Sequence, residues 1–503
     1  MLHHLRRLST QTVIYGMGDA VTRIAGLILL PIYTRILTPA DYGRLALLVL
    51  VSTIISLILE FGMRSAFFRF YFQHEEVEVR RRLTGTALIF LLGAALIILA
   101  PLFLSISYLS LPLFKDAALL PLIQIVLIGT FFDLGSIIPF SIFRAEQRAT
   151  QYAALSLMRF FINTILNIVA VVVLRWGVEG IIYANLLTSI LFFLICLVLT
   201  LPSIRWTIDF GLLKRLLVFG LPLVPAYLAG WALTFSDRFF LERYADLSQV
   251  GVYAIGYSIA SVLNMVMGWF NTAWLPYCYS VAEQPGAKEF YARMLTYALT
   301  LFTLVAIGLS LFSPEVLYLL ATPSYYGAAR VVPLVTLAYL FYEANYLIAF
   351  GLDLTGKTSY YGLIVGIAAV LNLLLNFSLI PPFGMMGAAW ATALSYMSLM
   401  VLAYVIVRRI YPVRYEKVRL LKLSLTSVGL FLAGMSLKTG RLWVDLGVGA
   451  AVILSWLAIL YFTRFFTERE LATARAATHS VLQTLRDPFK RARPKNLVKE
   501  DSV

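Results

Sequence analysis

Apolar stretches of about twenty residues follow one another along the whole of this chain, and they leave few folds open. A helix needs ~20 apolar residues to cross ~30 Å of hydrocarbon. Of the 503 residues, 60% are hydrophobic and 13% charged, whereas a soluble protein carries about 25% charged residues. Mean hydropathy is +0.85. A β-barrel would show alternating segments of ~10 residues instead. The sequence therefore predicts an all-α polytopic membrane protein with about fourteen transmembrane helices, starting near residues 12, 43, 83, 118, 152, 178, 216, 251, 293, 330, 360, 386, 419 and 443. The first, from about Gln11 to Tyr33, is too long for a signal-peptide core and lacks a small-residue cleavage site, so it reads as a retained span.

The net charge of +15 does not indicate a nucleic-acid partner, because of where the charge sits. With both ends cytoplasmic, most of the 41 Lys and Arg fall in the N-terminus, the loops after even-numbered spans and the C-terminus. This is the positive-inside bias, strongest at "RRR" (80–82), "RRIYPVRYEKVR" (408–419) and the tail 464–503. The tail either touches anionic lipid or is a solvated end. Cys196 and Cys278 lie in or beside apolar spans and suggest neither a disulfide framework nor a metal site. No cofactor is expected.

Two asparagine pairs reveal a duplication. "NTILN" (163–167) and "NLLLN" (372–376) place two amides four apart inside apolar sequence, at an offset of 209 residues from Asn163 to Asn372. "RWGVEG" is followed at a similar distance by "PFGMMG", pairing Gly177 with Gly384 and Gly180 with Gly387. "RILTPADYG" (35–43) matches "RYADLSQVG" (243–251). The expected organisation is a six-helix bundle over 1–201, a cytoplasmic linker over 202–215, a second six-helix bundle over 216–412, two added spans over 413–463 and a basic tail over 464–503. Six spans per copy put both copies in the same orientation, a parallel repeat with its pseudo-two-fold axis along the membrane normal. Two such bundles rocking about a cleft make an alternating-access transporter. The asparagines either join helices or line a cavity. Their presence in both copies favours packing, through interhelical amide bonds worth about 0.6–2 kcal/mol.

Function is expected where the copies differ. Arg159 lies one turn before Asn163 on the same face, and its counterpart is Ala368. An arginine within a span costs about 2.5–3.5 kcal/mol on insertion scales, so it faces a wet cavity or snorkels to the cytoplasmic surface. In the first span, Asp19 and Arg23 form an i, i+4 pair on a stripe of small and polar residues. In the seventh, Pro222 and Pro225 bend the helix. There Tyr227, Trp231, Thr234 and Arg238 share a stripe, with Asp237 adjacent. Aromatic rings facing a cationic end suit sugar stacking and phosphate pairing; the alternative is an interfacial Asp237–Arg238 pair at the outer helix end. Asp133, Glu343 and Glu60 are read as intramembrane acids, any of which could bind a coupling proton or sodium ion, and nothing in the sequence ranks them.

These stretches resemble a known family. "PIYTRILTPADYG" (31–43), "EFGMRSAFFRFY" (60–71), "SDRFFLERYADLSQVGVYAIGYSIASVLN" (236–264) and "NLLLNFSLIPPFGMMGAAWAT" (372–392) are similar to bacterial oligosaccharide (O-antigen type) flippases. These are polysaccharide transporters of the multidrug/oligosaccharidyl-lipid/polysaccharide exporter superfamily. The resemblance covers about 12–412. It implies a monomeric transport unit in the inner membrane, both termini cytoplasmic, among membrane lipids. The implied substrate is an oligosaccharide on an undecaprenyl pyrophosphate carrier, moved from the cytoplasmic to the periplasmic leaflet. It also implies a cationic cavity, which Arg23, Arg159 and Arg238 fit.

A multidrug exporter of the same superfamily is the nearest rival, although Arg23 and Arg159 oppose a cavity for cationic drugs. A membrane polysaccharide polymerase, ligase or acyltransferase is the other. His3, His4, His74 and His479 all lie outside the spans, and no Ser-His-Asp or metal-ligand arrangement fits, so no catalytic residue is assigned.

Overall fold

The computed structural model describes residues 29–110, 119–468, 470 and 472. Among these there is no strand, and twelve helices are long and apolar enough to span a membrane. We number the helices α1 (Pro39–Leu59), α2 (Met63–Gln73), α3 (Val77–Ser110), α4 (Leu119–Ala145), α5 (Ala149–Ile168), α6 (Gly177–Thr200), α7 (Phe210–Gly220), α8 (Val224–Tyr244), α9 (Leu247–Val281), α10 (Ala287–Leu320), α11 (Val332–Leu354), α12 (Ser359–Ile410), α13 (Lys417–Ser436) and α14 (Leu442–Phe462). The 52-residue α12 is two spans, broken at Gly384, where φ is 54° and ψ −132°. Residues 29–36 end in helix and belong to the expected first span, most of which lies outside the described residues. With α12 counted as two, the described residues hold thirteen spans, against about fourteen expected over the whole chain. The chain is a multi-pass membrane protein.

The matched sequence pairs occupy matched structural positions. Gly177 has φ of +58° and Gly384 +54°, a left-handed conformation that glycine adopts without steric cost. Both sit where one span turns into the next. Thr38 caps α1, its hydroxyl accepting from the Asp41 N–H in a capping box, and Asp246 caps α9 by accepting from the Gln249 N–H. Such caps satisfy N–H groups that the first turn leaves unpaired.

One end of the bundle is sealed by α1 crossing α9. A Cβ on Gly43 would lie 2.0 Å from the Leu247 carbonyl oxygen, and one on Gly251 would lie 1.9 Å from that of Pro39. The two glycines are repeat counterparts, so the copies meet here through equivalent residues. The same end is tied by Tyr325, whose hydroxyl donates to the Leu37 carbonyl (2.9 Å). Thr34 donates to the Leu320 carbonyl and Thr322 to that of Thr34, each at 3.0 Å.

At the opposite end the linker is more structured than a simple tether. Asp209 caps α7 through the N–H groups of Gly211 and Leu212. Leu212 and Leu216 of α7 then enter a core with Met63 and Phe67 of α2.

The asparagines make interhelical hydrogen bonds in both stretches, and Asn163 also lines a small cavity of about 180 Å³. Asn163 Nδ2 donates to Asn185 Oδ1 (2.8 Å) and Thr188 Oγ1 (3.4 Å), joining α5 to α6. Asn372 Nδ2 donates to Ser395 Oγ (3.2 Å), joining the two arms of α12, and Ser395 is the counterpart of Thr188. The second copy adds Ser236 of α8, which donates to Asn372 Oδ1 (3.1 Å) and accepts from Asn376 Nδ2 (3.2 Å). Asn372 is fully buried and ties three helical segments, whereas Asn163 is half-buried. Asn372→Ala should therefore destabilise more, by about 1–3 kcal/mol, than Asn163→Ala, at roughly 1 kcal/mol. Melting of both variants in detergent measures the order.

The described residues fall into two compact units, one ending at Tyr415 and the other beginning at Glu416. Within the second, the Trp456 indole donates to Ser427 Oγ (2.9 Å) between α14 and α13. Arg419 is held by Glu416 and Glu470.

Candidate functional site

Away from the Gly43–Gly251 crossing, α1 and α9 part around a cavity of about 1110 Å³. On the α1 side the wall carries Ser52, Ser56, Glu60, Arg64 and Asp133. Facing them, α8, α9, α11 and α12 contribute Tyr227, Asn271, Tyr342, Glu343, Tyr346 and Tyr361. One wall thus holds ionic groups and the other tyrosines, the amides Asn264 and Asn271, and one acid.

The ionic wall is largely self-paired. Arg64 Nε lies 3.3 Å from Glu60 Oε1, an i, i+4 contact. Arg159 lies 2.6 Å from Asp133 and its guanidinium sits 4.7 Å over the Phe192 ring. Burial pushes the Glu60 carboxyl above the usual glutamate range, and the Arg64 guanidinium partly offsets this. Glu343 differs from the other two acids. One of its oxygens accepts from Asn271 Nδ2 at 3.1 Å, and the other is buried without a hydrogen-bond partner among the described residues. It lines the cavity with no ion pair among those residues.

The residues singled out from sequence separate into distinct places. Tyr227 lines the cavity, and its hydroxyl is 2.9 Å from Ser65 Oγ. Trp231 does not line it; its indole N–H donates to Thr53 Oγ1 (3.1 Å), bridging α8 to α1. Arg159 does not offer an open charge to the cleft, because Asp133 neutralises it. It lines a smaller side cavity.

Asp237 and Arg238 are neither at the cavity wall nor at an interface. They are 2% and 7% exposed and lie 3.0 Å apart. Asp237 also accepts from the Tyr253 hydroxyl. Arg238 donates to the Thr234 carbonyl (2.8 Å) and stacks 4.6 Å over Tyr257. The stripe on α8 exists, but the bundle packs Arg238 inward because these tyrosines and Asp237 satisfy it. Asp19 and Arg23 lie outside the described residues.

Sequence reasoning passed over Arg64, although it stands in the quoted "EFGMRSAFFRFY" four residues after Glu60. It also passed over the tyrosines of α11 and α12, because one tyrosine among many apolar residues carries no positional signal.

Membrane-spanning helices around a large cavity with ionic and tyrosine side chains on its walls, closed at the α1–α9 crossing, suit a membrane transporter. Over residues 32–330 the chain matches the family described as "Polysaccharide biosynthesis protein". The chain belongs to that family. An uncharacterized membrane protein of Methanocaldococcus jannaschii is 24% identical over 189 residues, 37% of this chain and 37% of that protein. The chain thus matches little more than a third of that relative's length. The fold is that of the lipid II flippase MurJ in an inward closed conformation, with a TM-score of 0.69 and 16% identity, covering 90% of this chain and 99% of MurJ. An outward-facing multidrug resistance MATE family transporter of the MOP superfamily is also similar. Its TM-score is 0.56 at 16% identity, over 80% of this chain and 95% of that one.

Proposed function

We propose that this chain is an alternating-access flippase for oligosaccharide linked to a polyprenyl diphosphate, serving the assembly of a surface polysaccharide. The observation that carries the reading is the division of the cavity, ionic on one wall and tyrosine-rich on the other, in a chain of the polysaccharide biosynthesis family. Tyrosine offers a broad apolar face with a polar tip, which suits a sugar ring. Charged side chains suit a diphosphate.

Glu60 and Arg64 of the cavity wall stand at the junction of α1 and α2, away from the Gly43–Gly251 crossing, and α2 is tied to the basic stretch 80–82 by Arg80, which donates to the Tyr71 and His74 carbonyls. By the positive-inside rule that side is cytoplasmic, so the sealed Gly43–Gly251 end faces outward and both termini lie inside. This conformation would receive its substrate from the cytoplasmic leaflet. Glu343, without a cationic partner among the described residues, is the residue we assign to a coupling proton.

Glu343 and the tyrosines would equally suit a cationic drug, the reading favoured by the MATE fold. Proteoliposomes holding the purified chain separate the two. The lipid-linked oligosaccharide should become accessible to an added glycosidase on the far side, faster with a pH gradient. Glu343→Gln should lose the gradient dependence. Gradient-driven efflux of a cationic dye without movement of the lipid would replace the flippase reading with drug export.

A further inference from the structure

Between α10 and α11 the chain runs through a short 3₁₀ segment, Pro323–Arg330, at the sealed end of the cavity. It is seated on the helices around it. A Cβ on Gly256 of α9 would lie 2.8 Å from the Ala328 carbonyl oxygen, and one on Gly327 would lie 3.5 Å from Val252 of α9 and 3.6 Å from Met385 of α12. Ser313 of α10 donates to the Ala329 carbonyl (3.4 Å). The segment is thus built into α9, α10 and α12.

Three hydrogen bonds join this region to the chain just before α1, and they differ in quality. The Thr34 hydroxyl is 3.0 Å from the Leu320 carbonyl and equally close to that of Leu30, so its one proton is shared. The Thr322 hydroxyl, 3.0 Å from the Thr34 carbonyl, also meets Ser324 Oγ at 3.0 Å and is half-buried. Tyr325 differs from both. It is 0% exposed, although connecting segments normally run over the surface. Its ring meets Tyr42 of α1 edge-on at 6.2 Å, and its hydroxyl donates to the Leu37 carbonyl at 2.9 Å. Leu37 is also buried and leaves the helical path immediately before Thr38, the cap of α1. A buried carbonyl is costly to leave without its donor. The Gly43–Gly251 crossing contributes close packing, which has little directional preference. The Tyr325 bond fixes a direction.

We infer that Tyr325 is the latch of the sealed end. Its bond to Leu37 holds the start of α1 against α9 and must break each time the cavity opens there. Tyr325 stands apart from the cavity wall, so the latch sets how often that end opens without touching what is carried. This rests on the transporter reading and adds to it the residue that holds the gate.

The full chain in nanodiscs carries Leu37→Cys, with Cys196→Ala and Cys278→Ala removing its own thiols, and is treated with a small charged thiol reagent. Tyr325→Phe keeps the ring against Tyr42 and removes only the hydroxyl. It should raise the labelling rate at position 37 roughly tenfold, the loss of one buried hydrogen bond. Thr322→Val should raise it less. A further substitution, Gly268→Cys, lies in the cavity wall with nothing within 4 Å of its Cβ. A bulky maleimide attached there beforehand wedges the cavity and should cancel the increase, because one end opens only as the other closes. Unchanged labelling at position 37 in Tyr325→Phe overturns the latch. An increase that survives the wedge also overturns it, and leaves Tyr325 a structural contact. The two readings fail separately. Unchanged labelling with normal flipping sinks the latch and leaves the flippase. A wedge-sensitive increase in a chain that flips nothing sinks the flippase and leaves the latch.

Discussion

Arg238→Leu should destabilise the protein by about 3–5 kcal/mol, because it leaves the Asp237 carboxylate uncompensated in the interior. The pair is 3.0 Å apart and less than a tenth exposed, so water cannot take over the lost contact. Tyr253 and Thr392 would still face Asp237, but hydroxyls do not neutralise a charge. The double variant Asp237→Leu/Arg238→Leu should recover much of the loss, since replacing a whole buried pair by apolar groups is often close to neutral. Thermal melting in detergent reads both. Transport per folded molecule should fall less than the yield of folded protein. A single variant that melts normally and has lost transport would instead make Arg238 a ligand-binding group, as its stripe on the helix suggests.

Gly251→Leu should abolish transport while leaving the chain in the membrane. A Cβ there would lie 1.9 Å from the Pro39 carbonyl oxygen, a backbone atom that no rotamer change can move. The α1–α9 crossing must open, and forced overpacking of this kind costs about 1–3 kcal/mol even where it is accommodated. The sealed end would then stand ajar, and a transporter open at both ends of its path cannot hold a gradient. A cysteine in place of the buried Leu37 should label from the sealed side in Gly251→Leu and resist labelling in its absence. Gly43→Leu should behave alike, since its Cβ would lie 2.0 Å from the Leu247 carbonyl oxygen. Gly93→Ala is the control, with nothing within 4 Å of its Cβ, and should be silent. Near-normal transport in Gly251→Leu would show that the crossing need not close tightly.

Much of the architecture was legible because membranes make strong demands on sequence. Backbone groups in hydrocarbon must be satisfied within the helix, so span number follows from apolar runs. The duplication was legible because Gly177, Gly384, Gly43 and Gly251 stand where backbone geometry tolerates little else. The asparagines were readable as packing groups for a related reason: an amide in hydrocarbon needs a partner. The partners themselves were not readable. Asn185 and Thr188 can be found only once α6 is laid against α5.

The site was less legible. Helical spacing placed Tyr227, Trp231, Thr234 and Arg238 on one stripe of α8, yet only Tyr227 and Thr234 line the cavity, while Trp231 bridges to α1 and Arg238 is buried. A stripe fixes which side chains share a face and says nothing of how far along it the neighbouring helices close in. Near its entry end α8 faces open space. Further along, Tyr253 and Tyr257 of α9 crowd it, and the same face becomes core. Arg159 shows the converse. Its cost within a span is visible from sequence, but its neutralisation by Asp133 depends on α4 and α5 lying side by side.

By itself the sequence determined the class, an all-α chain of many membrane spans, and its local patterns predict two copies and a cytoplasmic side where the basic loops gather. Each of these follows from local patterns of polarity or from backbone positions that only glycine fills. The tertiary structure alone decided which charges are spent on one another and which face the cavity. That outcome depends on distances of a few ångströms between helices far apart in the chain. In a medium of low dielectric, a carboxylate at 3 Å or at 8 Å from an arginine separates a structural pair from a group free to bind.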